Sequence, residues 1–216
     1  MMHTEQLGPY ILTWPQGVFP LGEDALALGE FATVKTGWKV CDLGTGSGVL
    51  LLLLAARAEK LSLWGVERDE LSARTARENL RNNGLPGEIL QADLRTAHLT
   101  AGSFDLVTAN PPYFSLQGGK SGGSFRSEEF CSLEELCMAA ARLVRNGGRF
   151  ALCHRPERLA ELMSLLQKAG LEPKRLQFCA HSPDHAPSLV LVESVRQGKP
   201  GLEVLPGKWK KYEAKG

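Results

Sequence analysis

The sequence is poor in the features that mark several large protein classes. Its five cysteines, Cys41, Cys131, Cys137, Cys153 and Cys179, form no CxxC pair. That excludes a recognisable disulfide framework and gives a metal site little support; each thiol reads as a small buried hydrophobe in a reducing cytosol. The longest apolar run, Val49 to Ala56, is far too short to span a bilayer. The first residues, MMHTEQLGPY, lack the basic start and apolar core of a secretion signal. No internal repeat is visible, and net charge is almost absent, at +1. The expectation is a cytoplasmic protein with no membrane contact.

The charge that is present is unevenly spread. Residues 1–140 hold 11 Lys/Arg against 17 Asp/Glu, and residues 141–216 hold 14 against 7. Such asymmetry points weakly to a polyanionic partner, and taken alone a solvated surface is the better explanation of charge runs.

At 216 residues and 43% hydrophobic, the chain suits one compact domain with small additions. Apolar strand-like runs occur at 38–43, 61–67, 88–93, 104–110, 149–155, 175–180 and 188–195. Helical patterns at 48–58, 69–83, 132–146 and 156–170 separate most of them. The third of these opens at Ser132 with Glu135 three residues on, a capping-box signature, and Gly147-Gly148 reads as its stop. Alternation of this kind predicts an α/β fold, a doubly wound, mostly parallel seven-stranded sheet. The last two strands have only HSPDHAP between them, so the final strand is expected to run antiparallel. The domain spans 38–195, after an N-terminal segment, 1–37, and before a basic tail, 196–216.

Ligands of such sheets bind at the carboxyl ends of the strands, near the switch point. The first strand runs into Asp42-Leu43-Gly44-Thr45-Gly46-Ser47-Gly48, a turn that lets backbone approach a ligand. The second ends in Glu67, at the spacing of an acid that grips ribose hydroxyls, and the third in Asp93, placed to accept from an adenine amino group. A dinucleotide and S-adenosylmethionine (SAM) both fit three acids at three consecutive strand ends. The turn departs from the G-x-G-x-x-G spacing of pyrophosphate sites, and Asp42 suits an ammonium better than a phosphate. SAM is the favoured cofactor, and no metal is expected.

The fourth strand ends in Asn110-Pro111-Pro112-Tyr113-Phe114. Two prolines stiffen the chain. They would hold the Asn110 side-chain oxygen and the Pro111 carbonyl ready to accept from an amino group whose lone pair is delocalised, with Tyr113 stacked on its planar system.

Together, Asp42-x-Gly44-x-Gly46-x-Gly48, Glu67, Asp93 and Asn110-Pro111-Pro112-Tyr113 resemble the class I, Rossmann-like methyltransferases that act on amino nitrogens. The corner alone is shared by adenine-N6 methyltransferases of DNA and RNA and by glutamine methyltransferases of release factors. The segments QGVFPLGEDALALGEFA, FRSEE and NGGRFALCHRPERLAEL make the chain similar to the bacterial tRNA(Val) adenine-N6 methyltransferases. That resemblance implies methyl transfer from SAM to an adenine N6 amine in tRNA, beside the anticodon. It also implies that Gly22 and Asp24 help close the cofactor pocket; Asp24 equally suits the start of a helix. Phe114, Arg126, Arg155, Arg158, Lys208, Lys210 and Lys211 are the candidates for substrate contact, the last three beside Trp209 and Tyr212 in a tail that suits single-stranded RNA. The alternatives are a protein-glutamine N5 methyltransferase, a nicotinamide-dependent oxidoreductase and a non-catalytic SAM- or RNA-binding module.

Overall fold

A computed structural model describes residues 1–111 and 131–209. The chain opens with a feature the sequence pattern does not announce. Strands β1 (Met2–Leu7) and β2 (Tyr10–Pro15) form a separate antiparallel hairpin, turned at Gly8. There follow α1 (Glu23–Phe31), β3 (Lys39–Leu43), α2 (Val49–Ala55), β4 (Ser62–Glu67), α3 (Glu70–Asn82), β5 (Gly87–Gln91) and β6 (Phe104–Ala109). The second half holds α4 (Leu133–Leu143), β7 (Val144–His154), a 3-10 turn (Pro156–Arg158), α5 (Leu159–Lys168), β8 (Leu171–Ala180), β9 (Leu189–Arg196) and two short strands, β10 (Glu203–Val204) and β11 (Lys208–Trp209).

The sheet order is β10-β8-β9-β7-β6-β3-β4-β5, with β11 also on β8. Strands β3 to β7 run parallel, and β9 lies antiparallel between β7 and β8. The expected seven strands are all present, the last one reversed. Alternating strand residues divide between two cores. Val40, Leu63, Leu106, Ala151 and Leu191 meet α1, α2 and α3; Cys41, Val66, Val107, Leu152 and Val192 meet α4 and α5. Both faces of the strands are apolar because both are covered by helices.

Three boundaries differ from expectation. Helix α4 carries the expected capping box, Ser132 and Glu135 exchanging hydrogen bonds, but it stops at Leu143 rather than at the glycine pair. Val144 already pairs with Phe104, and the ladder resumes at Leu106↔Arg149. The glycines therefore sit in an irregularity of β7, where Gly147 has φ +72° and a Cβ at Gly148 would lie 2.9 Å from the Arg145 carbonyl. Strand β8 starts at Leu171, earlier than its apolar run suggests. The stretch after 196 is held as well: β10 and β11 pair parallel with β8, and the Leu205 amide donates to the Leu176 carbonyl.

Long-range polar contacts fix the N-terminal segment. The buried Glu193 carboxylate on β9 accepts from the Thr33 amide at 2.7 Å, the Thr33 hydroxyl at 2.9 Å and Arg149 Nη1 at 2.7 Å. The hairpin is held by two asparagines one turn apart, Asn79 on α3 and Asn83 at its C-terminal cap. Asn83 exchanges hydrogen bonds with the Ile11 backbone, and Asn79 does the same with Thr13.

Candidate active site

The sheet's switch point lies between β3 and β6. Register pairs Leu43 with Ala109, so the glycine turn and the Asn110 corner leave the sheet side by side. In the turn, Gly44, Gly46 and Gly48 adopt φ of +72°, +56° and +83°, a region that L side chains enter only at a cost. A Cβ at Gly44 or Gly46 would meet nothing within 4 Å; one at Gly48 would lie 3.3 Å from the Ala76 Cβ on α3. Two glycines thus face open space, and the third permits a close helix approach.

Glu67, at the end of β4, is half-buried and organises this turn. Its Oε2 accepts from the Gly46 amide and its Oε1 from the Asp69 amide, both at 2.9 Å. Asp69 in turn caps α3 by accepting from the Ser72 amide. Asn79 adds a second tie: its Nδ2 donates to the Ser47 carbonyl at 2.9 Å and to the Thr13 carbonyl at 2.8 Å. The turn is therefore braced by β4, α3 and the hairpin. The Gly46 amide, which would serve an anion, already serves a carboxylate, so the turn is unsuited to pyrophosphate and open to a ligand that brings hydroxyls or positive charge.

Asp42 is 1% exposed and accepts from the Thr108 hydroxyl at 2.7 Å across the switch point. Burial pushes its carboxyl up to about 7, while the Thr108 hydrogen bond works the other way. A carboxyl raised in the fold holds its proton more tightly there than in the unfolded chain. Its contribution to stability is complete below about pH 4 and is lost as pH rises through about 7. Asp42→Asn should flatten that part of the stability curve. Thermal melts of both proteins from about pH 4 to 8 check this, and curves of identical slope would mean that Asp42 titrates normally.

Asp93 stands two residues beyond β5. Arg95 grips it through Nε at 2.9 Å and Nη2 at 2.6 Å, and the Arg95 amide donates to it at 2.9 Å. This holds the Asp93 carboxyl below its usual range. The guanidinium also reaches Glu135 at 3.3 Å, in the capping box of α4. A carboxylate has about four acceptor positions and Arg95 donates to both oxygens, its Nε shared between them, so an amino group at Asp93 would share the carboxylate with Arg95, which sets its plane.

Asn110 and Pro111 are half-buried at the end of β6. Cys153 Sγ, on β7, donates to Asn110 Oδ1 at 3.0 Å. Pro112, Tyr113, Phe114, Arg126, Lys210 and Lys211 lie outside the described residues. Gly22 immediately precedes α1, and Asp24 lies in its first turn, near enough to Cys179 on β8 to act electrostatically on that thiol. Arg155 follows β7 directly, and Arg158 forms a two-point ion pair with Glu161 at 2.8 and 2.7 Å. Lys208 pairs with Glu30. His154 is buried, its Nδ1 accepting from the Arg155 amide at 2.8 Å; burial lowers its pKa, so the ring is neutral near pH 7.

Sequence reasoning missed Thr108, Arg95, Asn79 and Cys153. None stands in a motif; each is defined by the partner it meets in space. Among the described residues, no group of three or more His, Cys, Asp or Glu side chains is placed to hold a metal ion, and no helix is long and apolar enough to cross a membrane.

A family model described as methyltransferase small domain matches residues 24–168. The tRNA1(Val) (adenine(37)-N6)-methyltransferase of Pseudoalteromonas translucida is 31% identical over 160 residues, covering 72% of this chain and 68% of that protein. The protein of the same name from Haemophilus influenzae strain 86-028NP is 36% identical over 139 residues, covering 59% of this chain; the chain spans only 58% of that relative's length. Among solved structures, a predicted O-methyltransferase from Agrobacterium tumefaciens superposes with a TM-score of 0.72 at 22% identity, covering 89% of each chain. The T. thermophilus 16S rRNA N2 G1207 methyltransferase, solved with AdoMet and guanosine, gives 0.65 at 22% identity, covering 91% of this chain and 50% of that one.

Proposed function

From the premise that this chain belongs to the methyltransferase small-domain family, we propose that it methylates the exocyclic N6 amine of an adenine in tRNA, close to the anticodon. It is a SAM-dependent methyltransferase of class I fold. The observation that carries the substrate reading is the register Leu43↔Ala109. It sets the amide of Asn110 beside the glycine turn, where a planar amino group can meet both.

The residues present fit SAM. Glu67 and Asp93 are acceptors at the ends of β4 and beyond β5 for ribose hydroxyls and the adenine amine, and space lies open before Gly44 and Gly46. When bound, SAM supplies an electrophilic methyl carbon on sulfur, which the amine's lone pair takes as the carbon–sulfur bond breaks. The chain's own part is positional. An adenine amine is a poor nucleophile because its lone pair is delocalised into the ring. Acceptors aimed at its N–H bonds, Asn110 Oδ1 and the Pro111 carbonyl, favour the tetrahedral nitrogen that attacks. The methylated amine is strongly acidic and sheds its proton to water, so no general base is required, in keeping with a neutral His154 tied to backbone.

The names of the relatives support tRNA as the substrate. Incubating the protein with labelled SAM and separated tRNA, rRNA and protein extracts from methylation-deficient cells tests it. The expected product is N6-methyladenosine in the tRNA fraction. Label in protein glutamine alone would replace this reading with the amide-methylating one, whose chemistry at Asn110 is the same.

RNA binding should also depend on salt. Strand β11 runs parallel to β8 and so toward the same sheet edge as Asn110, the edge at which Arg155 follows β7. Truncation after Trp209 leaves β11 in place and removes Lys210 and Lys211. It should weaken tRNA binding and leave SAM affinity unchanged. The log–log salt slope should fall by roughly 0.7–0.9 for each phosphate that is no longer neutralised. Binding measured across a salt series decides this; a flat response in the full-length protein would remove the electrostatic case for RNA.

A further inference from the structure

Cys153 reads in the sequence as one more buried hydrophobe, and in the structure it is fully buried. Its place is particular, however. It lies one residue past the register pair Ala109↔Leu152, which sets it beside Asn110 on the adjacent parallel strand. Its Sγ is 3.0 Å from Asn110 Oδ1, with the thiol as donor. From this geometry we infer that Cys153 is a positioning residue for methyl transfer, acting through Asn110; the inference rests on the methyl-transfer reading given above.

An amide oxygen has two lone pairs. The thiol needs only one of them, and methyl transfer requires the other to meet an N–H of the incoming amine. Turned by about 180°, the amide would set its NH2 against the thiol and aim N–H bonds at the substrate's own N–H bonds. The thiol hydrogen bond therefore favours the orientation that can accept. A thiol is a weak donor, so it orients Oδ1 without using up the acceptor strength that the amine needs. An ammonium there would compete with the substrate, and a methyl group would not discriminate between the two orientations. Strand pairing supplies the accuracy: β6 and β7 are adjacent and hydrogen-bonded up to the residues just before this pair.

Two measurements test the role. The first needs no substrate: the infrared S–H stretch, isolated by subtracting the spectrum of Cys153→Ala. A band lowered by hydrogen bonding is expected in the wild type, moving to higher frequency in Asn110→Ala. A band already at the free-thiol position would overturn the inference. The second is single-turnover methylation at saturating SAM. Cys153→Ala should lower the rate constant about fivefold, the scale of one net neutral hydrogen bond, with the Kd for SAM unchanged. Cys153→Ser, which keeps a donor, should recover most of the loss. A wild-type rate constant in Cys153→Ala, or equal loss in both variants, would assign Cys153 to packing alone. If the wild-type protein methylated no RNA fraction, the substrate reading would fall, while the S–H band would still decide whether the thiol holds the amide.

Discussion

Asn110→Ala is expected to slow single-turnover methylation by about 100-fold or more, the usual scale for one preorganised polar group, while SAM binds with near wild-type affinity. The two effects separate because Asn110 stands after β6 and is one of many expected cofactor contacts, most of which come from β3, β4 and the residues after β5. The amide is also held in advance: β6 pairs with β3 on one side and β7 on the other, and Cys153 donates to its oxygen. Removing Oδ1 leaves the target amine without its side-chain acceptor when its nitrogen must become tetrahedral. The Pro111 carbonyl remains and accounts for residual turnover. Rapid-quench methylation with the tRNA fraction, alongside calorimetry with SAM, measures both quantities. A wild-type rate constant would make the corner a structural turn and leave the amino-group chemistry without its main residue.

How much of this can be read before folding depends on the range over which each feature is set. The capping box of α4 is legible because Ser132 and Glu135 satisfy each other within one turn. The glycine turn is legible because a left-handed backbone requires glycine wherever the rest of the chain goes. The reversed last strand follows from the short connection between two apolar runs. The hairpin β1–β2 is not legible, since its outer edge is satisfied by Asn79 and Asn83, 66 and 72 residues away in sequence. The end of α4 is misplaced for a similar reason. Gly147-Gly148 is a strong local stop, but Val144 is claimed earlier by Phe104 on the neighbouring strand.

The site divides in the same way. The acids at strand ends are visible as residue types, but not the partners that tune them. Asp42 suggests a partner for the ammonium of SAM, directly or through water; in the fold its carboxyl is buried against Thr108. Asp93 suggests a waiting acceptor; it is already gripped by Arg95, two residues on. Arg158 and Lys208 read as cations available to phosphate, and both carry carboxylate partners that RNA would have to displace or accommodate. Charge counted along a chain does not record such pairing.

Glu67→Gln should be the most damaging change to cofactor binding. The wild-type carboxylate accepts from two backbone amides, Gly46 and Asp69, with one oxygen each. Each oxygen has a second acceptor position, and the pair suits the two ribose hydroxyls of SAM. Glutamine has almost the same shape but only one oxygen. Its NH2 must face either the Gly46 or the Asp69 amide, donor against donor. The variant therefore loses a brace of the glycine turn or of the α3 start as well as part of the ribose site. Hydrogen bonds to a charged acceptor contribute roughly 1.5–3 kcal/mol each, so losing one ribose bond implies an affinity lower by on the order of 10- to 100-fold. Calorimetry with SAM and S-adenosylhomocysteine reads this directly, with a thermal melt to show that the variant is folded. NAD should give no binding heat with the wild type, because the Gly46 amide that a pyrophosphate would use already belongs to Glu67. Tight NAD binding with no SAM signal would overturn the cofactor assignment. Unchanged SAM affinity in a folded Glu67→Gln protein would show that the carboxylate serves the turn and not the ribose.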